Sequence, residues 1–299
     1  MLTKKQKRIN WVLVAILLVL SIFFLFPVLW MLANSFKPDS AITADMNSIA
    51  AFIPPMPDGS FLDNYISILT NTNFVRYMAN TLFYAAVLIL LGIVVNGLAG
   101  YALAKLKVPF KKALIVLLVF NYIVPPQATF IPMAWVFRNL KLVNSPLAFI
   151  VPALFGNGLK SSLFILIYMQ FFRKIPNELE EAALIDGLGY FGILRRIVLP
   201  LSTAAIATIG LYYAVFFWND WFNSLIYLKS DQYPVMMFLR NIVNGTMVIG
   251  TGSGSAEKTT IAISVKSAVI ITSTVPIIVI YPFLQKFFVK GLTIGGVKG

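Results

Sequence analysis

The chain of 299 residues contains no cysteine and no histidine. Without cysteine there is no disulfide, no zinc–thiolate site and no thiol nucleophile. Without histidine a Ser-His-Asp triad is excluded, and so is the side chain that titrates nearest neutrality. Acid–base catalysis would fall to a shifted carboxylate or lysine. Charge is scarce as well. Only 12% of residues are Asp, Glu, Lys or Arg, against 59% hydrophobic, whereas soluble domains carry about a quarter charged residues. So little charge cannot clothe a water-soluble surface, and the chain reads as an integral membrane protein. No catalytic residue, metal site or cofactor is expected in it.

The charge present is lopsided, 24 Lys and Arg against 11 Asp and Glu. A nucleic-acid-binding domain gathers its bases on one solvated face. Here they stand in short groups between apolar runs, the arrangement that sets membrane topology.

A bilayer-crossing helix needs about 20 apolar residues, and six stretches supply them: 11–33, 77–104, 113–137, 147–172, 201–222 and 267–288. The first exceeds the roughly 7–15-residue core of a cleavable signal peptide and reads as a retained span. The expected fold is all-α: one polytopic bundle over 1–299 with six transmembrane helices and both termini on the same side. The N-terminus, the turn at 105–112 and the 173–200 loop with its approach each bring four basic residues to that side. The tail brings three more, leaving nine elsewhere. The richer side is cytoplasmic by the positive-inside rule. Residues 34–76 and 229–266 are then extracellular loops, the first with a short amphipathic helix in "FLDNYISIL". Prolines 27, 125, 126, 132, 152 and 276 interrupt the spans. Each removes a backbone hydrogen bond and kinks its helix.

Between the fourth and fifth spans lies "NELEEAALIDGLGYFGILRRIVLP", 177–200. Asn177 is placed to cap a helix with Glu180 as its capping-box partner, and the acids in the first turn suit the helix dipole. Gly187 is a natural helix stop, and a second short helix follows to Pro200. From physics alone this is either a solvated linker or a docking elbow.

Its letters favour the second reading. Glu181-Ala182-Ala183, Asp186-Gly187 and then Ile197, Leu199 and Pro200 resemble the "EAA" loop of ABC importer permeases, EAA-x-x-D-G followed by I-x-L-P, with every fixed letter present. "FKP" after the first span, "WNDWFNSL" at 218–225 and the closing "YPFLQKFFVKG" extend the resemblance toward the carbohydrate-uptake branch, nearest to oligosaccharide permeases. The resemblance implies that the elbow docks on a cytoplasmic ATP-binding subunit. Glu181 and Asp186 would contact that partner, and the small Ala182, Ala183 and Gly187 would permit close approach. It also implies a sister permease, an ATPase dimer that binds ATP and Mg, and an extracellular solute-binding lipoprotein.

"GTGSGSAEKTT" at 250–260 departs from a P-loop, because Lys258 follows Glu257 where glycine is required. Gly250, Gly252 and Gly254 belong either to a flexible linker or to a loop that reaches the binding protein. For the transport path, sugars need aromatic faces with amide and hydroxyl partners. Asn121, Tyr122 and Gln127 border the Pro125-Pro126 break, and Trp218, Asn219 and Asp220 end the fifth span, although such residues also populate membrane interfaces. Lys160 faces a mid-membrane cavity if its helix begins near Leu147, and snorkels at the outer interface if the helix begins near Asn157. The competing readings are a stand-alone carrier or channel, a non-sugar ABC permease and a membrane scaffold. A carrier driven by protons or sodium would place ionisable residues in its spans, and these spans hold almost none.

Overall fold

A computed structural model describes residues 4–57, 60–158, 160–245 and 262–295, and every regular element among them is helical. Three helices are long and apolar enough to cross a bilayer: Asn10–Asn34, Phe74–Lys105 and Ile263–Pro282. Two further apolar stretches are each broken in two. Lys111–Ile123 and Pro126–Asn139 meet at 103°, and Tyr190–Leu201 and Thr203–Trp218 meet at 81°.

The stretch expected as one span over 147–172 is instead two helices, Leu147–Leu154 and Ser161–Arg173, separated by a turn through Gly156. The second has 13 residues, about 20 Å at 1.5 Å per residue, short of the roughly 30 Å hydrocarbon core. Local chemistry explains both this break and the one at 103°. Pro126 has no N–H to continue the preceding helix, and Val124 and Pro125 turn extended. Lys160 adopts the left-handed region, φ 59°, immediately before Ser161.

Contacts divide the chain into two units, Met1–Val75 with Leu239–Val275 and Arg76–Phe238 with Pro276–Gly299. In the first, residues 35–57 and 60–73 fold on themselves. Lys37 of the "FKP" stretch is buried and donates to Asp45 Oδ2 at 2.7 Å and to the Ala50 carbonyl at 2.6 Å. Asn64 Nδ2 donates to the Ser35 and Lys37 carbonyls, and Tyr65 shares a hydrogen bond with Ser35. The helix expected in "FLDNYISIL" is Asp63–Asn71.

The second unit packs around Tyr168, Phe164, Phe172, Ile193, Val198 and Ile209, all fully buried. Glycines set its helix spacing. A Cβ on Gly92 would enter the Tyr213 ring, and one on Gly100 would meet Tyr168 Cβ at 2.5 Å and the Ile165 carbonyl at 3.2 Å. Lacking Cβ atoms there, Phe74–Lys105 lies directly against Thr203–Trp218 and Ser161–Arg173, the usual way membrane helices approach closely. Asn96 and Ser161 share hydrogen bonds with the Tyr213 hydroxyl, so three helices meet at one buried polar point.

Candidate functional site: an elbow and a cavity

The elbow begins at Asn177, which is the first helical residue and not the cap. Pro176 holds the cap position, and the expected capping box is absent. Asn177 Oδ1 instead accepts from Lys105 Nζ at 2.8 Å, and the same ammonium donates to the Ile175 carbonyl at 2.6 Å. Glu180 is buried, with Oε1 3.2 Å from Lys105 Nζ though out of alignment for a hydrogen bond. One lysine at the end of Phe74–Lys105 thus holds both the approach and the first turn of Asn177–Ile185. Nothing in the sequence alone joined Lys105 to this segment, because it reads there as one of four basic topology markers.

Gly187 ends the helix as expected. At φ +81° it lets Leu188 N–H reach the Ala183 carbonyl at 2.9 Å and its own N–H reach Leu184 at 3.1 Å. These are the two bonds of a Schellman stop. The second helix, Tyr190–Leu201, widens to a π-turn over Leu194–Val198, a distortion common at functional sites.

Burial sorts the motif residues. Ala183 faces the bundle, and Ile197 and Leu199 pack against it. Ala183 is therefore buried against the bundle and does not lie on the outward face, where close approach to a partner was expected of it. Glu181, Ala182, Asp186, Gly187 and Pro200 are exposed. Around them Ile185 is 86% exposed and Phe191 70%, with Leu184 and Tyr190 also open. Sequence reasoning passed over these apolar residues; their place in an acid-rich turn between two short helices was the signal.

A cavity of about 550 Å³ lies within the second unit, between the bent pair at 111–139, the break at 155–160 and the helices at 217–227. Asn121, Tyr122 and Lys160 line it. Lys160 Nζ lies 5.8 Å from the Tyr122 ring centre and 5.9 Å from that of Phe216. Among the described residues Lys160 forms no ion pair. Asn157, Ser161, Ser162 and Asn223 add polar groups, and Phe130, Phe149 and Tyr227 add aromatic walls. A second cavity of about 380 Å³ shares Leu117, Asn121, Asn157 and Ser162 with the first and extends to Leu103 and Val108.

Gln127, Trp218, Asn219 and Asp220 are not in the lining. Gln127 is exposed and Trp218 buried. Asn219 donates back to the Val215 carbonyl. Asp220 accepts from Asn223 Nδ2 at 2.7 Å and from Ser224 Oγ at 3.3 Å, so it positions the Asn223 amide at the cavity wall. Gly250, Gly252 and Gly254 lie outside the described residues.

No protein-family model matches the chain. Curated relatives do. Protein LplC of Bacillus subtilis strain 168 is 34% identical over 91% of this chain and 89% of its own length. The polygalacturonan/rhamnogalacturonan transport system permease protein YtcP of the same strain is 31% identical over 99% of this chain and all of its own. A crystal structure of a bacterial ABC transporter involved in importing the acidic polysaccharide alginate superposes with a TM-score of 0.81 at 23% identity, covering 96% of this chain and 99% of that one. At that identity the likeness is one of fold, and it agrees with the relatives in kind. The chain belongs to the carbohydrate ABC transporter permeases, which are integral membrane proteins.

Proposed function

We propose that this chain is one half of the membrane pathway of an ATP-driven, binding-protein-dependent oligosaccharide importer. It has six crossings with both termini in the cytoplasm, and Leu147–Leu154 with Ser161–Arg173 act together as the broken fourth. A sister permease completes the pathway. The chain itself is no enzyme: an ATPase dimer in the cytoplasm binds ATP and Mg, and an extracellular binding protein delivers the sugar.

The observation that carries this reading is the two-sided elbow. Its outer face offers Glu181, Ala182, Ile185, Asp186 and Phe191 to a partner, while Lys105 ties its inner face to a long bundle helix. A partner that pulls on the outer face therefore pulls on the bundle. The acids have no catalytic part; they form contacts.

Capture of the complex from its own membranes through a tag on this chain is expected to bring a sister permease and an ATPase. Glu181→Lys is expected to leave that assembly intact while sugar uptake falls at least tenfold, with ATP hydrolysis no longer stimulated by loaded binding protein. Recovery of the chain alone, or normal uptake by Glu181→Lys, contradicts the assignment.

A further inference from the structure

Lys160 carries a charge where a charge is costly. It precedes Ser161–Arg173, whose 13 residues rise roughly 20 Å. The helix therefore begins past Asn157, the start that favoured snorkelling, and not near Leu147, yet Lys160 lines a cavity within the second unit. Ionisable residues within membrane segments are rare, pair with one another or face a cavity, and mark the path of a substrate or ion. No carboxylate pairs with Lys160 among the described residues, and Asp220, outside the lining, is held by Asn223 and Ser224. What faces its Nζ are the rings of Tyr122 and Phe216. Rings attract a cation but leave its charge uncompensated.

The remainder of the wall is neutral and sugar-like in its preferences. Asn121, Asn157 and Asn223 offer amides, Ser161 and Ser162 hydroxyls, and aromatic side chains flat apolar faces. At about 550 Å³ the cavity falls within the range of small-molecule sites, roughly 300–1,000 Å³. One cation among neutral donors balances one negative charge. A phosphate ester brings about −1.5 to −2 at neutral pH, which would leave excess charge in a low-dielectric space. A carboxylate brings one.

Resting on the importer reading above, we propose that the cargo is an acidic oligosaccharide built from uronate units. Lys160 is the residue that recognises it, pairing with one sugar carboxylate as the chain of rings passes. Asn121, Asn157 and Ser162, shared with the second cavity, then take over hydroxyl contacts along the way. A neutral sugar of the same shape leaves the ammonium unpaired and is bound less well.

The test uses the intact complex captured through this chain, without nucleotide and without the binding protein, so that only the permease pathway selects. Equilibrium dialysis compares radiolabelled trigalacturonate with its fully methyl-esterified form, which keeps the rings and removes the charge. The wild type is expected to bind the acid at least tenfold more tightly than the ester. Lys160→Met is expected to bring the ratio near one, and Lys160→Arg to retain most of it. If Lys160→Met does not assemble, Lys160→Gln, which keeps a polar end without charge, is read in the same way. Equal binding of acid and ester by the wild type, no binding of either, or a ratio unchanged by removing the Lys160 charge overturns the inference. Failure of the importer reading shows separately and earlier, as the absence of an ATPase in the captured complex.

Discussion

Lys105 and Glu180 face each other at 3.2 Å at the inner side of the elbow, with side chains only 4% and 11% exposed. A buried ion pair is poor evidence of net stabilisation, but removing one partner leaves a stranded charge and costs about 3–5 kcal/mol. Lys105→Met is therefore expected to lower the melting temperature of the captured complex, and Glu180→Leu to do so as well. The double variant Lys105→Met with Glu180→Leu is expected to lose less than the two single losses summed, because no stranded charge remains, while the Ile175 carbonyl and Asn177 Oδ1 still lack their donor. Additive losses in the double variant would show that the two side chains do not act together.

Gly187 separates a cost within this chain from one felt by a partner. A Cβ there meets nothing within 4 Å, yet φ is +81°, so Gly187→Ala is penalised only by its backbone, roughly 1–2 kcal/mol. Gly187→Asn, better suited to the left-handed region, is expected to retain more stability than Ala in thermal scans. If both variants fold but lose the ATPase on capture, the missing side chain at this position serves close approach by that subunit.

The bundle glycines are not equivalent. Gly92→Ala and Gly100→Ala force a new methyl into Tyr213 or Tyr168, and overpacking of this kind costs typically 1–3 kcal/mol. A Cβ on Gly210 meets Ile93 at an ordinary 3.5 Å. There alanine should gain about 0.5–1 kcal/mol from its higher helix propensity. Thermal scanning of the three purified variants is expected to show two losses and one small gain.

Lys37 tests the first unit by itself. Its side chain is 3% exposed, and its ammonium holds Asp45 and the Ala50 carbonyl. Hydrogen bonds to charged groups contribute about 1.5–3 kcal/mol, so Lys37→Met is expected to expose residues 35–73 to limited proteolysis. Capture of the ATPase should be unaffected, since no elbow residue is touched.

Much of this was readable in advance, for identifiable reasons. Long apolar runs are a length-and-composition signal, and the three unbroken helices appear where that signal is simplest. The Gly187 stop was legible because its chemistry is local. The 103° turn after Ile123 was visible only as two prolines, since proline announces an interruption but not its angle. The break at 155–160 was hidden because Gly156, Asn157 and Gly158 sit inside an otherwise continuous apolar run. The capping role read for Asn177 failed, and the tie made by Lys105 went unseen, for a single reason: each bonds to a residue distant in sequence, and local rules assign such residues local partners. The same limit applied to the cavity. Asp220 stands out by residue type, while its partner Asn223, bland in sequence, is the one on the cavity wall.

The central claim is that the 177–200 elbow is a cytoplasmic joint to a separate ATPase. Because the chain has no cysteine, Ile185→Cys introduces a single thiol at an open position. The account predicts that a membrane-impermeant maleimide leaves this thiol unlabelled in intact cells and labels it in everted vesicles. It also predicts that a short bifunctional reagent joins the thiol to the ATPase subunit inside the cell. Labelling of Ile185→Cys from outside an intact cell would contradict it.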